Sequence, residues 1–191
     1  MIKKIKTSLS EKILFIFLIS LGIFSFSFFF IIKNKCLFVE NVDPKKIQFI
    51  NRQNIVIMNV ECGNVIIELE PKLSPNAVKR FKDLIEKGSY NRSAFYKVIK
   101  DTLIQAGDLE YGNIDNINYY KVGNGQSGLG TIKSELNKNF QFDEGSVAFA
   151  RGDEFNTEDS EFFITLKKIK VGNKVEYVLR PDFINYIKLL N

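Results

Sequence analysis

The chain of 191 residues contains no histidine and no tryptophan, and only two cysteines and four prolines. Histidine supplies the usual general base near neutral pH and is the commonest metal ligand. Without it, nucleophilic mechanisms of the Ser-His or Cys-His kind lose their base, and an imidazole-built zinc site is excluded. Cys36 and Cys62 stand far apart and neither has a CxxC partner. They allow one internal pair at most, and two incidental thiols are the plainer expectation. The residues before Cys36, Lys33-Asn34-Lys35, are bulky or charged where a lipoprotein signal would be small. No metal and no cofactor is expected.

The chain also lacks a basic footprint on its main body. Its net charge is +5, but Lys3, Lys4, Lys6, Lys12, Lys33 and Lys35 all lie in the first forty residues, opposed there only by Glu11 and Glu40. The remainder is close to neutral, so no nucleic-acid partner is expected.

What the chain does have is a long apolar run. Ile13 to Ile32 contains only Ile, Leu, Phe, Ser and Gly. As a helix rising about 1.5 Å per residue it would be about 30 Å long, the thickness of a bilayer core. Lysines flank both ends and can reach the headgroups. The run is too long for a cleaved signal and ends without small residues, so it reads as an uncleaved signal-anchor. The expected organisation is a basic N-terminal segment (1–12), a transmembrane span (13–32), a polar stem (33–53) and a folded domain (54–191). The N-terminal lysines favour an inside N-terminus. The membrane is then a partner, and the domain lies on the outer (periplasmic or extracellular) face of the plasma membrane.

Within the domain, Ile55 to Val60 and Val65 to Leu69 read as a hairpin turning at 61–64, with Gly63 suited to a positive φ. A helix follows, capped by Ser74, opened by Pro75 and closed by Gly88. Its apolar stripe is Ala77, Val78, Phe81, Leu84 and Ile85. Phe95–Ile99, Leu103–Ile104, Ser146–Ala150, Phe162–Leu166 and Val175–Leu179 read as short strands. Residues 107–133 read as a long ordered loop. Pro181 is expected to start a short helix bearing Ile184, Ile187, Leu189 and Leu190. Many short strands with one helix early and one late favour a mostly β, closed antiparallel structure over repeated βαβ units.

Several segments resemble, in order, those of the cyclophilin-type peptidyl-prolyl isomerases. Asn59 to Leu69 is similar to that family's opening hairpin, and Ser74-Pro75-Asn76-Ala77-Val78 to its first helix. Phe95-Tyr96-Lys97-Val98-Ile99 resembles Phe-His-Arg-Val-Ile, and Ile104-Gln105-Ala106-Gly107-Asp108 resembles Ile-Gln-Gly-Gly-Asp. Gly145 to Ala150 resembles Gly-x-Leu-Ser-Met-Ala, and Ser160 to Thr165 resembles Ser-Gln-Phe-Phe-Ile-Thr. The resemblance implies a cyclophilin-like closed antiparallel barrel with two capping helices. The family's last barrel strand has no obvious counterpart here, which would leave an open edge for the stem or a protein partner to cover.

The resemblance also implies a chemistry that needs neither metal nor histidine. Prolyl isomerisation breaks no covalent bond; the barrier is the amide resonance lost on twisting, about 18–20 kcal/mol for an ordinary peptide bond. The implied catalytic residues are Lys97, standing where the family has its donor arginine, and Gln105, matching the family's glutamine. The implied substrate-binding residues are Leu103, Phe149 and Phe163, with Thr102 in place of Phe, Arg151 in place of Asn and Glu161 in place of Gln. By residue type alone, Lys97 is equally a solvated strand lysine and Gln105 a strand-end glutamine, while Arg151 and Glu161 fit ordinary surface charges. Glu161 could pair with Arg151 or with Lys97, and the sequence leaves this open.

The implied function is isomerisation of proline-containing peptides in exported proteins. The alternative is a catalytically weak or inactive cyclophilin-like peptide-binding or chaperone module in a membrane complex.

Overall fold

The apolar run folds as helix α1, Leu9–Lys33, with none of its residues buried. Its length and mean hydropathy of 2.6 suffice to cross a membrane. This computed structural model describes residues 8–33, 36, 43–135, 141–167 and 184–190. The chain divides into two units, Met1–Glu40 and Asn41–Asn191. Both cysteines are disulfide-bonded, where two incidental thiols were expected.

The second unit opens with a hairpin of β1, Ile55–Val60, and β2, Gly63–Glu68. The register runs from Ile55 opposite Glu68 to Val60 opposite Gly63. The turn is therefore only Glu61-Cys62, and Gly63 takes φ +146° as the return strand begins. Such a conformation suits a residue without Cβ.

Helix α2, Pro75–Glu86, carries the expected stripe: Phe81, Leu84 and Ile85 are buried and Val78 packs beside them. Pro75 opens the helix, but Ser74 makes no side-chain capping bond. The carboxylate of Glu135 takes that part, accepting the N–H groups of Asn76 and Ala77. At the other end Gly88 adopts φ +68°. Its N–H reaches the Ile85 carbonyl and that of Ser89 reaches Leu84, both at 2.9 Å. These bonds satisfy carbonyls that the helix end leaves without partners.

The remaining strands among the described residues are β3 (Lys97–Ile99), β4 (Leu103–Ala106), β5 (Val147–Phe149), β6 (Phe162–Thr165) and β7 (Tyr186–Leu189). They form a three-stranded sheet ordered β2-β1-β7 and a four-stranded sheet ordered β3-β4-β6-β5. The expected closed barrel is not formed among the described residues. The unit is mostly β, with two sheets and α2 contributing to one core: Val56, Met58 and Ile67 from one sheet, Ala106, Phe162 and Ile164 from the other, Phe81 and Leu84 from the helix.

The expected helix through Ile184, Ile187, Leu189 and Leu190 gives way to β7, antiparallel to β1 with Met58 opposite Ile187. Ile184 and Ile187 are spaced like a helical stripe, but from residue 186 the burial alternates: Tyr186 and Lys188 are exposed while Ile187 is buried. Period two is a strand signature. Strand β1 offers an edge whose polar groups need partners, and β7 supplies them. Strand β7 thus extends the sheet on the β1 side, and β2 and β7 are its edges among the described residues. The expected strand Val175–Leu179 lies outside the described residues.

The long loop is held by carboxylates. Asp108, 1% exposed, accepts the N–H groups of Glu110 and Tyr111 through one oxygen and those of Gly123 and Gly125 through the other. Asp159 bonds Ser127 and pairs with Arg80 of α2 at 2.7 Å.

Candidate active site

The two faces of the four-stranded sheet differ in what covers them. Successive strand residues point to opposite faces. Ala106, Phe162 and Ile164 belong to the core, with Ile104, Val147 and Phe149 packed against it. The alternate positions, Lys97, Leu103, Gln105, Phe163 and Ala148, therefore lie on the other face and are half-buried.

Registry sets them in a row. Lys97 is opposite Gln105, Gln105 is opposite Phe163, and Phe163 is opposite Ala148. Direct cross-strand partners have Cβ atoms about 4.5–5.5 Å apart. A lysine, a carboxamide and an aromatic residue thus succeed one another across β3, β4 and β6, with the backbones of the outer two about 10 Å apart. The Phe142 ring meets Phe163 edge-on at 5.4 Å and forms one wall.

Glu161 lies two positions before Phe163 and turns to the same face. Its Oε2 accepts the Tyr96 hydroxyl at 2.6 Å and the Gln105 amide at 2.9 Å. Gln105 Nε2 also donates to the Tyr96 oxygen. The three side chains close a triangle of hydrogen bonds, with Gln105 Nε2 directed at both oxygens. Among the described residues, Glu161 Oε1 is buried without a hydrogen-bond partner. Burial, then the charge of Asp108, push the Glu161 carboxyl above its ordinary range, against the opposing effects of Tyr96, Gln105 and Lys97. Burial and the charge of Glu161 raise the Tyr96 phenol as well, so the hydroxyl stays protonated and keeps donating.

The structure brings together Lys97, Gln105, Leu103, Phe163 and Glu161. It does not bring Phe149 to them. That ring lies on the core face, edge-on to Phe81 at 6.0 Å. Arg151 is exposed and turned into its own loop, donating to the carbonyls of Gly152 and Asp153 at 2.9 Å and lying over the Phe155 ring. Of the two pairings left open for Glu161, neither forms among the described residues. Thr102 sits in the turn before β4, its hydroxyl bonded to the Lys100 carbonyl at 3.1 Å.

Sequence reasoning missed Tyr96 and Phe142. Tyr96 could have been found, since it replaces the histidine of the Phe-His-Arg-Val-Ile segment directly beside Lys97. Phe142 falls in a stretch where no segment aligned.

The sequence matches the family model described as cyclophilin type peptidyl-prolyl cis-trans isomerase/CLD over residues 55–179. It is 37% identical over 113 residues to a probable peptidyl-prolyl cis-trans isomerase of Brucella suis, covering 59% of this chain and 57% of that protein. It is 28% identical over 115 residues to the human peptidyl-prolyl cis-trans isomerase-like 1, covering 58% and 62% of the two chains. The match thus spans little more than half the length of these relatives.

Among solved structures, a cyclophilin type isomerase of Cryptosporidium parvum, crystallised in the presence of the dipeptide Ala-Pro, superposes with a TM-score of 0.56 at 22% identity. It covers 71% of this chain and 98% of that one. A cyclophilin of Hirschia baltica superposes with a TM-score of 0.57 at 17% identity, covering 73% and 74%. These likenesses establish the fold.

Proposed function

Because the chain belongs to the cyclophilin-type peptidyl-prolyl cis-trans isomerase family, we propose that it isomerises X-Pro bonds in exported proteins. The work is done at the outer face of a membrane crossed by α1. The observation that carries this reading is the row of Lys97, Gln105 and Phe163 across one sheet face.

Each member has a task in the reaction. Twisting the imide ends its resonance and leaves a lone pair on a pyramidal nitrogen. A catalyst must hold that twisted state better than either planar isomer. Phe163, flanked by Leu103 and Phe142, offers an apolar seat for the proline ring. The Lys97 ammonium offers a donor toward the imide nitrogen, and the Gln105 carbonyl oxygen is the acceptor its amide ring leaves over. Thr102, with its hydroxyl in the turn, supplies less apolar wall than a phenylalanine there would. The loss is about a kcal/mol or more of proline binding at about 25 cal/mol per Å². Arg151, outside the row, is assigned the flanking peptide, and Phe149 supports the sheet from its core side.

The outward orientation is supported by two observations. Lysines precede α1, and both cysteines are disulfide-bonded, a state that persists in exported proteins.

The test is cis-to-trans relaxation of short X-Pro peptides, with the full chain in detergent micelles. The uncatalysed process takes roughly tens to hundreds of seconds, so a modest acceleration is measurable. Saturable peptide binding that depends on Phe163 without acceleration would replace the enzyme with the non-catalytic peptide-binding module.

A further inference from the structure

We propose that Tyr96 is a positioning residue for the isomerisation, holding Glu161 away from Lys97 and fixing the carboxamide of Gln105. The proposal rests on the reading of Lys97 as the donor, and deepens it.

A carboxylate beside the donor is a hazard to this mechanism. Lys97 is near enough for its charge to favour the ionised form of Glu161, and a lysine side chain is long and flexible. Direct pairing would withdraw the ammonium from the imide nitrogen. The groups acting on Glu161 are Tyr96, Gln105, Asp108 and Lys97. Of these, the first two bond Oε2, at 2.6 and 2.9 Å. Hydrogen bonds to an ionised acceptor are about twice as strong as neutral ones, and the site is half-buried, so the carboxylate stays where the phenol holds it.

The same phenol sets the orientation of Gln105. Gln105 Nε2 donates to the phenolic oxygen and to Glu161 Oε2, so both acceptors face the nitrogen side of the amide. A flipped amide would present its oxygen to the carboxylate, which cannot donate. Only one orientation fits, and it keeps the Gln105 carbonyl free for the peptide or for Lys97. Removing the phenolic oxygen therefore has two consequences: Glu161 loses one of its two partners and swings toward Lys97, and Gln105 loses half its orientation.

The experiment is a double-mutant cycle on the full chain in detergent micelles, reading kcat/KM on an X-Pro peptide. Tyr96→Phe should lower kcat/KM about tenfold, the equivalent of one lost hydrogen bond to a charged group. The same substitution in a Glu161→Gln background should cost less than about twofold, because no carboxylate is left to capture the ammonium. Tyr96→His, whose ring N–H can donate in place of the phenol, should retain most of the wild-type rate. By NMR, the two Gln105 amide hydrogens should be well separated in the wild type and converge in Tyr96→Phe.

The proposal is overturned if Tyr96→Phe leaves the rate unchanged, if its cost is the same in both backgrounds, or if Tyr96→His is as slow as Tyr96→Phe. A wild-type rate that does not fall in Lys97→Ala overturns the donor reading instead, and that outcome is separable from the others.

Discussion

The carboxylate of Glu135 accepts the backbone N–H of Asn76 at 2.9 Å, across 59 residues of chain, while its other oxygen takes the N–H of Ala77 at 3.0 Å. The first N–H groups of a helix have no partner within it, and their end of the helix favours negative charge. One side chain from the long loop therefore caps α2 and ties the loop to it. Glu135→Ala should destabilise the domain by about 1 kcal/mol, in the range of about 0.5–2 known for lost caps. Ser74→Ala should cost only a few tenths of that. Urea unfolding of the two variants checks the order, and a larger loss at Ser74 would return the cap to the neighbouring side chain.

The contrast between Ser74 and Glu135 illustrates what the sequence can carry. Pro75, the stripe through Phe81 and Ile85, and the closing Gly88 are local signals set by helix geometry, and all were legible. So were the hairpin of β1 and β2 and the segments that became β3 to β6. The long-range choices were not. A cap from residue 135 leaves no mark near residue 74. Ile184 and Ile187 fit a helix by spacing and a strand by pairing, and only the free edge of β1 decides between them. In the site, strand alternation could have separated Phe149 from Phe163, since they lie on opposite faces once the Ala148–Phe163 register is known. The ring of Tyr96, Gln105 and Glu161 joins three elements, and residue spacing does not reveal it.

The long loop depends on the fit of Asp108 to its neighbours. A Cβ built on Gly125 would stand 2.0 Å from Asp108 Oδ1, nearer than any real contact. Gly125→Ala must therefore displace a buried carboxylate that holds four backbone N–H groups. It should cost about 3 kcal/mol or more, in the range of core overpacking combined with lost polar bonds. Gly128→Ala, with nothing within 4 Å, still carries the strain of φ +76° but should cost about 1 kcal/mol. Thermal unfolding of the pair gives the ranking, and hydrogen exchange at residues 110–125 should rise in Gly125→Ala alone.

Glu161 makes stability depend on pH in a direction opposite to that of a salt-bridged carboxylate. Burial raises its folded pKa above the ordinary 4.5. The folded chain then holds a proton that the unfolded chain has released. The contribution is fully present below the unfolded value and is lost as pH rises through the folded one. Glu161→Gln removes it, so the Tm of this variant minus that of the wild type should grow from pH 4 toward pH 7. A difference that stays constant across that interval would mean that the burial of Glu161 carries no titration.

None of the residues of α1 is buried, and the helix is long and apolar enough to cross a membrane. Alkaline carbonate should leave the intact chain in the membrane pellet, and protease added outside intact cells should remove the domain. Release of a full domain into the supernatant would mean that the helix is cleaved off.

Lys97 is where the catalytic reading is most exposed to test. It faces Gln105 across β3 and β4 and shares a sheet face with Phe163, but an ammonium is a compact point charge without the planar fork of a guanidinium. If its part is to donate to the pyramidal imide nitrogen, Lys97→Ala should lower kcat/KM by about tenfold or more while leaving peptide binding nearly intact. The interaction forms only in the twisted state. Lys97→Arg should equal or exceed the wild type, because the broader donor reaches the same nitrogen with less ordering of the side chain. Lys97→Met, which keeps the apolar stem and removes the charge, should behave like the alanine variant. If Lys97→Met kept the wild-type rate, the strand lysine would be merely a packed stem, and the donor would have to be sought elsewhere on this face. Peptide affinity measured alongside the rate completes the assignment. A parallel loss of affinity and rate in Lys97→Ala would place the ammonium on the ground-state peptide rather than on the twisted bond.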